Sequence, residues 1–451
     1  MSAISPHRLK QVRSLIKVIP DGPLRSLDGA LALSNDAALQ EVRRMIVEER
    51  EQRHARLLIF APFIPLFEVR DDDLNSVIFP RWLLSHVWRA LEKHEPELYA
   101  EAHYIARGLS LSDPPPVVFF RLVNASADLL RNRADEMLPA VPKKDDAAEI
   151  AEFAHYLDLH RIVRDALLKM PNWLGRIDAE RAAELRVLYK DACNKSEDSG
   201  ARFMELLFAN LEDGVQIMKL IAAVVERPND RFLAESELAD FGERILELVE
   251  ERVMSLKTQM EQAFKLDNDP HAIGRGVASC LGHILALENA IELSREGPWG
   301  QRVAAARKTI ATCIETRIKQ AEKSIANALP TKVSRGGLPR PRLDKPLDER
   351  ELGKAQSLML FMSAVRGHAA QGGFAGLHAK TFQAIEVQLD SYLQDLLSLA
   401  NGEEAADPAT LGLFFDALIG LIDAALGAER ANLARRRVAS TALFKTQDSV
   451  A

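Results

Sequence analysis

The sequence predicts an all-α chain: long amphipathic antiparallel helices in an elongated multi-helix bundle, with a smaller C-terminal helical bundle. Three observations carry this. Apolar residues recur every three or four positions over long stretches. Alanine, leucine, glutamate and arginine, which lose little rotamer freedom in a helix, are plentiful, while aromatics make up only 6% of the chain. No segment shows several alternating apolar and polar runs joined by tight-turn residues.

Residues 1–34 read as a basic N-terminal arm. Within it Leu9, Val12, Ile16 and Ile19 form a short apolar stripe flanked by Arg8, Lys10, Arg13 and Lys17. That is the pattern of a membrane-surface helix or tether; docking on the chain's own bundle, or terminal disorder, is the more ordinary outcome. No apolar core followed by a small-residue cleavage site is present, so no signal peptide is expected.

A first long helix is expected over 36–54. The segment from Leu57 to Phe67 is the most apolar in the chain and is broken by Pro62 and Pro65, so it reads as a buried irregular connector, too short to span a bilayer, with a partner or ligand groove lined by its phenylalanines as the less ordinary reading. No transmembrane helix is predicted. Asp71, Asp72 and Asp73 then mark a solvated turn and helix cap. Further helices are expected over 80–93, 95–106, 115–137, 145–169, 179–193, 201–225 and 271–295.

Two helices stand out by length and periodicity. Over 235–264 the positions Leu238, Phe241, Ile245, Val249, Val253, Leu256, Met260 and Phe264 form one stripe. Over 301–329 Val303, Ile310, Ile314, Ile318, Ala321, Ile325 and Leu329 repeat it, and Pro330 ends it. Residues 35–329 are therefore expected to form the main bundle. The Pro/Gly/Arg-rich stretch 330–347 reads as a linker. Helices over 352–367, 381–399 and 409–437 follow, giving a C-terminal bundle over 348–440 and a tail over 441–451.

Net charge is −7 over 451 residues, which argues against a chain that binds nucleic acid as a whole. The three cysteines, Cys193, Cys280 and Cys313, are odd in number and far apart, as expected for a reducing compartment. The expected location is cytoplasmic, including the inner face of a membrane.

Candidate chemistry is sparse. Glu51 with His54, and Glu152 with His155, share the Glu-x-x-His spacing of carboxylate-bridged metal sites in helical bundles; a chain this rich in glutamate produces about one such spacing by accident, so a solvated helix face is favoured. Cys280 and His283 lie one helical turn apart and suit a buried small-residue face better than a nucleophilic pair. The glycine-rich stretch 366–380, with Arg366, His368, His378 and Lys380, has no preceding strand and reads as a helix-to-helix turn. No cofactor is expected.

Charge segregation gives the better signal. Residues 301–345 hold eleven basic residues against three acidic ones, whereas 235–264 holds eight acidic against three basic. The ordinary reading is mutual neutralisation within one bundle. The sharper reading makes Arg302, Arg307, Lys308, Arg317, Lys319, Lys323, Arg335, Arg340 and Arg342 a docking surface for an acidic protein partner or an anionic membrane. The functional expectation is a non-enzymatic helical scaffold or adaptor mediating protein–protein interaction. The alternatives are an all-α enzyme with a carboxylate/histidine metal site and a peripheral membrane-associated helical protein.

Overall fold

The computed structural model describes residues 6–74, 76–225, 227–262, 269–333, 339–402 and 407–441. The chain is all-α, as the periodicity predicts, with twenty α-helices among the described residues. Two compact units divide it, Met1–Arg227 and Pro228–Ala451.

The first unit begins with α1 (Pro6–Val18), α2 (Asp21–Ala32) and α3 (Ala37–Phe60). Asp36 caps α3 by accepting from the amides of Ala38 and Leu39. The apolar stripe of α1 turns inward: α1 and α2 pack on α3 around buried Ile16, Leu24, Met45 and Ile46, with Leu9, Val12 and Ile19 against them. Docking on the chain's own bundle thus accounts for that stripe.

The apolar stretch after α3 is ordered and regular. Pro62 and Pro65 lack amide donors, and the chain tightens into a 3-10 helix, Ala61–Phe67. Phe63 and Phe67 enter an aromatic cluster with Phe79, Phe153 and Tyr156, at centroid separations of 5.1–6.2 Å between neighbours. The expected connector from Leu57 to Phe67 is mostly buried, with Leu57 exposed, and it is helical and not irregular.

The unit continues with α4 (Arg81–His94), α5 (Pro96–Ala106), α6 (Val117–Asn132), α7 (Ala134–Met137), α8 (Asp146–Leu157), α9 (His160–Gly175), α10 (Ala179–Cys193), α11 (Ser199–Ala209) and α12 (Ile217–Val224). Several expected helices are divided here. The stretch 145–169 contains the break between α8 and α9, and 201–225 is interrupted where Asp213 caps a short 3-10 turn.

The second unit holds α13 (Asp230–Ala234), α14 (Ala239–Gln262), α15 (Pro270–Ala290), α16 (Pro298–Ala328), α17 (Glu349–Val365), α18 (Ala375–Asn401), α19 (Pro408–Leu426) and α20 (Ala428–Ala439). Helices α14, α15 and α16 pack on one another, and α17 lies against α15, α16 and α19. Close approach needs glycine at two crossings. A Cβ on Gly242 would meet the Trp299 ring at 2.2 Å, and one on Gly274 would meet the Ala364 Cβ at 2.6 Å. Gly427, at φ +86°, breaks the expected single helix 409–437 into α19 and α20.

The expected linker 330–347 lies inside this second unit, because α16 before it packs against α17 and α18 after it. Part of it pairs as a small antiparallel ladder, β1 (Thr331–Val333) with β2 (Pro339–Pro341). The division between units falls instead at Arg227 and Pro228. Of the expected tail, residues 442–451 lie outside the described residues. One described helix, α19, is long and apolar enough to cross a membrane by length and composition; half of its apolar window is buried within the protein.

Candidate functional site

The two Glu-x-x-His pairs stand on α3 and α8 and are not brought together. Among the described residues no group of three or more His, Cys, Asp or Glu is placed to hold a metal. Each pair also has ordinary partners. Glu51 accepts from Arg107 at 2.8 Å, and His54 Nε2 donates to the Leu109 carbonyl at 2.9 Å, which removes that nitrogen's lone pair. Glu152 is gripped by both arms of Arg202, at 2.6 and 3.0 Å. His155 is half-buried beside it on the same helix.

Cys280 is buried, and burial pushes its thiol pKa up, away from a thiolate. Just past the glycine-rich turn, His378 of α18 is buried and donates to the Met362 carbonyl at 2.9 Å, while Arg366 lies over the Phe382 ring. Gly373, at φ +77°, makes the turn.

The basic helix α16 divides its charges between two environments. Arg302 holds Glu250 on α14 with both arms, at 2.7 and 2.9 Å, and also binds Glu243. The bonds to Glu250 and Glu243 raise the Arg302 pKa despite burial. Trp299 donates to the same Glu243 at 2.7 Å. Arg307 pairs with Glu288 of α15 at 2.7 Å, and Arg317 donates to the Met260 carbonyl near the end of α14.

Mutual neutralisation therefore accounts for Arg302, and Arg307 and Arg317 also have partners within the unit. Lys308, Lys319 and Lys323 remain exposed, Lys319 within 3.6 Å of Glu315. Arg340 is exposed on β2, and Arg342 is exposed beside Asp344 at 3.3 Å. Arg335 lies outside the described residues.

A different concentration of cations lines a cleft of about 1020 Å³ in the first unit. The end of α1 and the start of α2 contribute Lys17, Val18, Asp21 and Arg25; α3 contributes Val47, Arg50, Glu51, Arg53, His54, Arg56 and Leu57. The 3-10 helix adds Ile64, Phe67 and, just past its end, Glu68, while α4 adds Arg81, Leu84 and Ser85. Helix periodicity explains the shared faces: Arg81 and Ser85, like Asp21 and Arg25, are four residues apart.

Three of the cleft arginines are neutralised within the fold. Arg50 binds Asp28, and Arg107 binds Glu51. Arg53 pairs with Asp21 at 2.7 Å and Glu49 at 2.9 Å, and donates to the carbonyls of Ile16, Lys17 and Ile19. Burial pulls the Arg53 pKa down, but its bonds to Asp21 and Glu49 outweigh that and raise it.

Lys17, Arg25, Arg56 and Arg81 have no carboxylate within ion-pair distance among the described residues. Glu68 is the one lining acid outside an ion pair among them. Arg56 is the informative member of the set. It is half-buried, its one hydrogen bond among the described residues is a long 3.5 Å contact to Ser85 Oγ, and burial lowers its pKa. The nearby acids, Glu49 and Asp21, are both bonded to Arg53, so the partly desolvated Arg56 has no ion pair of its own and favours an anion that reaches it.

Sequence reasoning missed this site because its members are scattered from Lys17 to Arg107. The available signal was the density of arginine on α3, where Arg50, Arg53 and Arg56 stand at intervals of three. Comparison of the chain with protein-family models, curated proteins and solved structures finds no match.

Proposed function

We propose that the chain is a non-enzymatic helical adaptor that recruits an acidic protein partner through the cationic cleft of its N-terminal unit. The observation that supports this reading is Arg56, desolvated at the cleft with no carboxylate within ion-pair distance among the described residues. Lys17, Arg25 and Arg81 surround it with further cations available to a ligand. Such a field steers an acidic partner and favours it over a basic one.

The test is binding of a fluorescent oligo-glutamate peptide to the full chain, followed by anisotropy across a salt series. Binding is expected at low salt and to weaken as ionic strength rises. Arg25→Gln with Arg81→Gln is expected to weaken it about tenfold, since each loss of roughly 0.7 kcal/mol combines to one decade. Lys308→Gln, Lys319→Gln and Lys323→Gln on the outer face of α16 should leave it unchanged. The reverse pattern would move the acidic-partner surface to α16 and reject the cleft.

A further inference from the structure

The cleft is apolar as well as cationic. Val18 is 76% exposed and Leu57 38% exposed, and both line it beside Ile64 and Leu84. Leucine and valine held open next to cations that stand outside any ion pair among the described residues suit a ligand with one acidic and one apolar face, which a simple anion lacks. The walls are helices and a 3-10 turn, and the paired strands β1 and β2 belong to the second unit, so among the described residues the cleft offers no sheet edge to an extended peptide.

Size permits this: the cleft, of about 1020 Å³ and open to solvent, has room for part of a helix roughly 10–12 Å across.

On the adaptor reading, on which this rests, we infer that the partner element is an acidic amphipathic helix lying in the cleft for about two turns. Its apolar face covers Val18 and Leu57. One carboxylate reaches the Arg56 guanidinium and the Ser85 hydroxyl, both of which donate to it. Further carboxylates one turn away meet Arg25 and Arg81. A guanidinium presents two parallel donors to a carboxylate, so Arg56 sets register as well as supplying charge.

Three peptides of equal length test this on the full chain by anisotropy: a glutamate/leucine peptide with its leucines at i, i+3, i+4 and i+7, a scramble of that composition without helical periodicity, and oligo-glutamate. The amphipathic peptide is expected to bind about tenfold tighter than the scramble. Leu57→Ser should remove most of that advantage while leaving oligo-glutamate binding in place. Arg56→Gln should weaken the amphipathic peptide about tenfold or more, and Arg56→Lys should restore only part of it. Arg81→Gln, at an exposed side chain, is the companion variant should Arg56→Gln fail to fold, with a severalfold loss expected.

Equal affinity for the amphipathic peptide and its scramble would overturn the helix while leaving an acidic partner in place. Binding of none of the three peptides would overturn the adaptor reading itself. Inorganic pyrophosphate that binds the cleft where no peptide does would assign it to a small polyanion and overturn both.

Discussion

His160 shows how a single side chain records its surroundings. Its Nδ1 donates to the Leu157 carbonyl at 2.9 Å, its ring lies 5.3 Å from that of Phe120, and Nε2 is buried without a hydrogen-bond partner among the described residues. Burial first, then the nearby Arg164 and Arg161, lowers its pKa below the ordinary 6.5. His103 is shifted the same way, by burial and Arg107. Both rings are favoured neutral in the folded chain, so below about pH 6.5 the unfolded chain binds more protons. Stability contributed by these groups is present above that pH and is lost as pH falls toward their folded values. Urea midpoints are expected to drop between pH 7.5 and pH 5, and His160→Phe should flatten the drop; an unchanged slope would remove His160 as a cause. Nothing in the local sequence distinguished His160 from His155, because burial is decided by Phe120, distant along the chain.

Helices were legible to the extent that their stripes were regular. The basic helix α16 matches its expected span closely, while the acidic helix α14 begins at Ala239 and its expected end at Phe264 lies outside the described residues; the two do face each other, through Arg302, Glu243 and Glu250. What periodicity could not supply was the depth of the contact. Gly242 stands against the Trp299 ring, so Gly242→Ala should destabilise by about 1–3 kcal/mol through overpacking. Gly282 on α15 has open space where a Cβ would go, and Gly282→Ala should stabilise by roughly 0.5–1 kcal/mol through helix propensity alone. Chemical denaturation of both variants checks the pair of signs. Helix divisions were less legible. The break at Gly427, where φ is positive, fell inside the expected helix 409–437, and the end of α8 at Leu157 carries no proline or glycine and depends on packing. The 3-10 course of Ala61–Phe67 was half legible: the prolines excluded an ordinary helix without specifying what replaced it.

At the scale of the chain, each unit has its own buried residues and its own packed helices, which is what independent folding requires. Fragments 1–227 and 228–451, expressed separately, are expected to keep helical circular dichroism and to unfold cooperatively; a fragment without a cooperative transition would contradict that. The unit boundary was hidden because Arg227 and Pro228 sit in a short polar stretch, while the more conspicuous Pro/Gly segment 330–347 lies between helices of one unit. The cleft was hidden for a related reason, since distance along the chain separates Lys17 from Arg81.

Arginine recurs at helix ends throughout the molecule. Arg53 meets carbonyls at the end of α1, Arg164 those of Leu58 and Ile59 in α3, Arg70 those of Phe208 and Leu211 around the end of α11, Arg186 that of Ala223 in α12, and Arg317 that of Met260 in α14. All but the Leu211 carbonyl lie in the last turn of a helix, where acceptors outnumber the helix's own donors, and a planar fork can serve two at once. Two related chains with identical charge and hydropathy profiles would therefore differ in robustness if one had drifted from arginine to lysine at these five positions. Divergence in this lineage is expected to tolerate lysine on the outer face of α16 and to resist it at the helix ends, a constraint that a charge-counting substitution score treats as neutral.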